Sequence, residues 1–88
     1  MAGYKLTIRP AVDRDIRGLP KPTLGRIVAA IKGLQAEPLP RGASKLQATD
    51  KTFRIRVGEY RVIYEIDSKE RIVNVLHVAH RRDVYRNY

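Results

Sequence analysis

Two stretches of this chain carry the side chains best suited to chemistry: KTFRIRVGEYRVIY, from Lys51 to Tyr64, and the closing run VAHRRDVYRNY. In an extended segment, alternation sends Arg54 and Arg56 to one face and Phe53, Ile55 and Val57 to the other. Lys51 precedes the pair and Arg61 follows it, so four cations meet a single carboxylate, Glu59, within eleven residues. Like charges held this close repel one another unless an anion occupies the space between them. Arginine is charged throughout the cellular pH range, and its planar fork takes phosphate oxygens in pairs. The chemistry implied is the holding, or the cutting, of a phosphodiester backbone. A solvated outer face of an antiparallel sheet is the competing reading, and alternation alone leaves both open.

The closing run gathers His80, Arg81, Arg82, Asp83, Tyr85, Arg86 and Tyr88. Cations for phosphate and rings for unstacked bases are the mixture a nucleic-acid site needs, although frayed basic termini are also common. Val78 and Val84 bracket the run with apolar anchors, which favours a docked segment. His77 and His80 are three apart, so an extended strand sends them to opposite faces. That spacing argues against a joint acid–base pair and against a histidine metal site, and no metal or other cofactor is expected. His77, between Leu76 and Val78, reads as structural, and His80 beside Arg81 is the better candidate acid. Phosphate loop, dinucleotide fingerprint and nucleophile elbow are all missing from the sequence.

Composition narrows the partner. The 88 residues carry 18 Lys and Arg against 9 Asp and Glu, a net charge of +9. The excess divides almost evenly, +5 over residues 1–44 and +4 over residues 45–88, so it belongs to the folded body and not to a basic arm. Nucleic acid is the favoured partner, with anionic membrane or an acidic protein as alternatives. Cysteine is absent, which rules out a disulfide framework and a thiolate metal site. The start, MAGYKLTIRP, holds no long apolar run, so neither a signal peptide nor a membrane span is expected, and the cytoplasm is the expected location.

The elements that must position these groups form one domain over residues 1–88. Tyr4–Arg9 alternates as a strand and stops at Pro10, which suits the first position of a helix from Ala11 to about Gly18. GLPKP breaks the chain. A second helix from about Pro22 to Gln35 carries Leu24, Ile27, Val28, Ile31 and Leu34 on one stripe. Residues 36–50 read as a polar connection with Leu46 as its anchor. Three strands follow, Thr52–Val57, Tyr60–Asp67 and Arg71–Ala79, with Gly58-Glu59 predicting a type II′ hairpin turn. The order β-α-α-β-β-β predicts an α+β fold: a helical hairpin packed on a four-stranded, mainly antiparallel sheet.

Taken together, ASKLQATDKTFRIRVGEYRVIYEID and VLHVAHRRDVYR resemble the RelE/ParE toxin superfamily, most closely its RelE branch, over nearly the whole chain. The resemblance implies a small cytoplasmic endoribonuclease of a type II toxin–antitoxin system that cuts mRNA in the ribosomal A site without metal. By position, Arg54 and Arg56 match two basic residues of the family's second strand, and Arg61 matches the arginine that holds the scissile phosphate. Arg81 matches the arginine proposed to protonate the leaving oxygen, and Tyr85 a C-terminal tyrosine that orients the substrate. Arg56, Arg61, Arg81 and Tyr85 are therefore the expected catalytic set, with Lys45, Lys51, Arg54, His80 and Arg82 as expected RNA contacts. The implied reaction is attack of a ribose 2′-hydroxyl on the adjacent phosphate, whose pentacovalent transition state gains negative charge that fixed cations stabilise. One departure stands out: well-known members place a lysine as base where this chain has Arg56, and arginine hardly ever gives up its proton. A cognate antitoxin, the ribosome and mRNA are the implied partners, with operator DNA reached only through the antitoxin and no membrane contact. A ParE-like inhibitor of DNA gyrase and a catalytically weak RNA- or ribosome-binding module are the alternatives on the same scaffold.

Overall fold

Pro10 ends the first strand and opens the first helix at its first position, where a missing N–H leaves no bond unmade. The computed structural model describes residues 3–46 and 51–82. Its elements run β1 (Lys5–Ile8), α1 (Pro10–Ile16), α2 (Lys21–Gly33), β2 (Ser44–Lys45), β3 (Thr52–Val57), β4 (Tyr60–Asp67) and β5 (Ile72–His80). The strands form one sheet in the order β1-β5-β4-β3-β2. β1 lies parallel to β5, and every other pairing is antiparallel. The α+β architecture is the expected one, with one correction: the sheet has five strands, not four. The extra strand, β2, pairs Ser44 with Arg54 and Lys45 with Phe53 inside the segment read as a connection. Two residues are too short to display a period-2 pattern.

Both helices pack on one face of the sheet. Val12 of α1 and Ile27 and Ile31 of α2 meet Ile55, Val62, Tyr64, Ile66, Val73, Val75 and Val78 in the main core. The opposite face holds a smaller cluster of Leu46, Ile63 and Leu76, flanked by Ala79. Leu46 is thus a buried anchor, on the face turned away from the helices.

β5 reaches the core through an irregularity. Ile63 faces His77 while Tyr64 faces Val75, so Leu76 is the extra residue of a β-bulge. Strict alternation would put Val75 and Val78 on opposite faces; the bulge resets the parity, and both join the main core. Past Val75, β5 has no strand beside it on the β1 side, because β1 ends at Ile8. α1 covers this edge. The Asp15 carboxylate accepts the Val78 N–H at 2.9 Å and meets His77 Nδ1 at 3.2 Å through the same oxygen.

Candidate active site

The β3–β4 hairpin fixes the arginines. Val57 pairs with Tyr60 across a two-residue loop, and Gly58 sits at φ 61° while Glu59 keeps a negative φ. That combination is the expected type II′ turn, whose first position needs a conformation that glycine adopts freely. Because the closing pair of such a hairpin is hydrogen-bonded, the next pair, Arg56 and Arg61, is of the non-bonded kind. In such pairs the Cα atoms lie only about 4.5 Å apart. Arg54 lies two residues back on the same face, opposite Ile63. Three guanidinium stems thus rise from adjacent positions on the face away from the helices, beside the apolar floor of Leu46, Ile63 and Ala79.

The turn also holds the fourth arginine. Arg81 N–H donates to the Glu59 carbonyl at 2.7 Å, and Arg81 Nε stands 4.0 Å from the Glu59 carboxylate. Arg56 Nε donates to the Gly58 carbonyl at 3.2 Å. One two-residue loop therefore sets the positions of Arg56, on β3, and Arg81, the residue after β5. The Arg81–Glu59 pair is largely solvent-exposed and screened, so it orients the side chain loosely.

Other expected members lie elsewhere. The register places Lys45 opposite Phe53, on the helix-packed face and away from Arg54. Lys51 stands at the far end of β3, about 17 Å from Arg56 at the rise of a strand, where it lines a separate cleft with Tyr4, Phe53 and Ile66. His80 also leaves the arginine face: the bulge puts it opposite Tyr60, with the rings edge to face at 5.3 Å. Its Nδ1 accepts the Arg82 N–H at 3.3 Å. Arg82 is exposed at the end of the described chain, and Tyr85 lies outside the described residues. Arg54, Arg56, Arg61 and Arg81 thus share one end of the sheet; Lys45, Lys51 and His80 do not join them.

Two residues were not singled out from sequence. Nothing in the sequence sets Asp15 apart from the other acids, and only the sheet topology reveals the edge it covers. Arg26 sits on an exposed turn of α2, yet its guanidinium reaches the hairpin and lines a cleft with Gly58, Glu59 and Tyr60. No group of three or more acidic or histidine side chains suited to a metal ion occurs among the described residues. No described helix is long and apolar enough to cross a membrane.

Comparison with known proteins places this geometry in a lineage. Residues 6–85 match the family model of the ParE toxin of type II toxin–antitoxin systems, parDE. The chain belongs to the RelE/ParE toxin superfamily. This superfamily member is 36% identical over 84 residues to toxin RelG of Mycobacterium tuberculosis, covering 94% of this chain and 97% of the relative. The archaeal RelE–RelB complex from Pyrococcus horikoshii superposes with a TM-score of 0.79 at 31% identity, over 89% of this chain and 94% of that one. The RelBE2 toxin–antitoxin complex of Mycobacterium tuberculosis gives a TM-score of 0.77 at 32% identity, over 89% and 98% of the two chains. The relatives carry RelE-type names, in line with the branch suggested by the basic β3.

Proposed function

We propose that this toxin is a ribosome-dependent endoribonuclease that cleaves mRNA in the A site by attack of a ribose 2′-hydroxyl on the adjacent phosphate. The observation that carries the reading is the direct opposition of Arg56 and Arg61, with Arg54 beside them and Arg81 at the same end of the sheet. Two guanidinium groups on a non-bonded pair lose stability to mutual repulsion and regain it when a phosphate enters between them. The same fixed charges then stabilise the phosphorane-like transition state, where negative charge grows. Arg61 holds the phosphate, and Arg56 and Arg54 neutralise it. As the O2′–P bond forms and the P–O5′ bond breaks, Arg81 stabilises the charge growing on the leaving 5′-oxygen, which takes its proton from water or from the ribosome. The register also sets Glu65 and His77 on this face, but in rows away from the Arg56–Arg61 pair and with His77 turned to Asp15. Proton removal from the 2′-hydroxyl is therefore assigned to the ribosome's own groups or to water.

Primer extension on programmed ribosomes tests the assignment. The parent protein is expected to yield A-site cuts, and Arg81→Ala to abolish them with unchanged thermal unfolding. Equal cutting by Arg81→Ala would remove the site. Solved relatives are RelE–RelB complexes, and the exposed cationic face suits an acidic or amphipathic antitoxin segment, so a cognate antitoxin is the proposed partner. The match to a ParE family model supports a second reading, inhibition of DNA gyrase. Loss of supercoiling activity with no cut mRNA would select it.

A further inference from the structure

The residues assigned so far lie on the outer face or at the strand end, yet the hairpin has cationic company on its other side as well. Arg26 leaves the exposed side of α2 and brings its guanidinium to the turn, where a terminal nitrogen would stand 3.8 Å from a Cβ built on Gly58. Among the described residues it meets no carboxylate within ion-pair distance. Together with Thr23, Val57, Gly58, Glu59 and Tyr60 it lines an open cleft of about 190 Å³. Glu59, the carboxylate of that cleft, is turned to Arg81 at 4.0 Å. Thr23 and Tyr60 add hydroxyl groups that can donate to an anion.

Three arginines from three elements thus converge on a loop of two residues: Arg56 from β3, Arg81 from the end of β5 and Arg26 from α2. We propose that Arg26 is a second phosphate contact of the RNA strand. Resting on the reading of the arginine face as an RNA-cleaving site, the strand with its scissile phosphate at Arg56 and Arg61 passes over the Gly58-Glu59 turn. A neighbouring phosphate then enters the Arg26 cleft. The turn suits this passage because both of its residues are exposed and glycine adds no side chain in the way. The arrangement fixes the direction in which the backbone crosses the tip, something a single phosphate between Arg56 and Arg61 cannot do.

The test uses the full chain and a short single-stranded 2′-O-methyl RNA, which binds without being cut. Arg26→Ala is expected to weaken binding severalfold at low salt. It should also reduce the slope of log K against log salt concentration by about 0.7, the share of one single-strand phosphate. Arg26→Lys should restore the slope, because a cation at that place is what matters, and thermal unfolding should be the same for all three proteins. An unchanged slope in Arg26→Ala, alongside a reduced slope in Arg61→Ala, would overturn the Arg26 contact and leave the outer-face site standing. If neither substitution alters the slope, the RNA-binding reading falls and the Arg26 contact with it.

Discussion

Arg56 and Arg61 face each other as like charges on adjacent strands, an arrangement that weakens the hairpin in the absence of a ligand. Sites that gather charge for a transition state commonly give up stability in this way. Replacing Arg61 by Gln is therefore expected to raise the unfolding free energy by about 0.5 kcal/mol and to lower cleavage about 100-fold. Urea denaturation and primer extension read the two effects separately. A variant that lost both stability and cleavage would show Arg61 to be a packing residue. Tyr64 makes the opposite bargain. Fully buried, it donates its hydroxyl to the Pro38 carbonyl at 2.7 Å and ties the loop after α2 to the sheet. Burial pushes its hydroxyl up from the ordinary value of 10 to about 12. The folded protein then holds the phenolic proton more tightly than the unfolded chain does, so this contribution is full below pH 10 and lost as pH rises from 10 towards 12. Two units correspond to about 2–3 kcal/mol. Tyr64→Phe should cost about 1–2 kcal/mol at neutral pH, through the unpaired carbonyl, and should flatten that alkaline decline in denaturation curves.

At the scale of elements, β5 shows what the sequence reveals and what it hides. Strands β3 and β4 begin and end where alternation and the Gly58-Glu59 turn predict, because each local signal agrees with the burial it serves. The bulge at Leu76 has no such signal. Leu76, His77 and Val78 fall inside a stretch that reads as one unbroken strand, Arg71–Ala79, and only the demand that Val73, Val75 and Val78 share one core reveals the extra residue. His80 is displaced from the arginine face for that reason, as Lys45 is by a pairing of two residues that no periodicity could announce. The arginines were legible because their spacing is local; their neighbours Arg26 and Asp15 were not, because each acts across a tertiary contact. Asp15 gives this a measurable form. Val78 is buried, and its N–H points to an edge that β1 does not reach, with the Asp15 carboxylate as acceptor. Asp15→Ala is expected to cost about 1–3 kcal/mol by leaving that donor unsatisfied. Asp15→Asn keeps an oxygen acceptor and should cost less than half as much. Hydrogen exchange at the Val78 amide should accelerate in the Ala variant and stay slow in the Asn variant; equal protection in both would show that the edge is closed by other means.

Over the whole molecule the question is whether the net charge of +9 acts as a diffuse field or through particular places. A diffuse field draws RNA to every side, and its effect beyond about 8–10 Å is screened at physiological salt. Contact sites instead release a fixed number of counterions, so their number can be read from the salt dependence of binding. Arg54, Arg56 and Arg61 share one face of the sheet, while Arg14 and Arg17 lie on and just after α1, and Lys69 lies in the turn after β4. All three of the latter are exposed. Neutralising either trio by Gln lowers the net charge equally, which makes the pair of triple variants a controlled comparison. The outer-face trio is expected to lose about 2 units of slope in log K against log salt, three single-strand contacts at about 0.7 each. The remote trio should lower affinity slightly at low salt and leave the slope as it is. Equal losses would mean that RNA reads the sum of the charges and not their placement, and the arginine face would then be surface like any other. Unequal losses in the expected sense would show that most of this protein's charge steers the partner in, while a few side chains around one hairpin hold it.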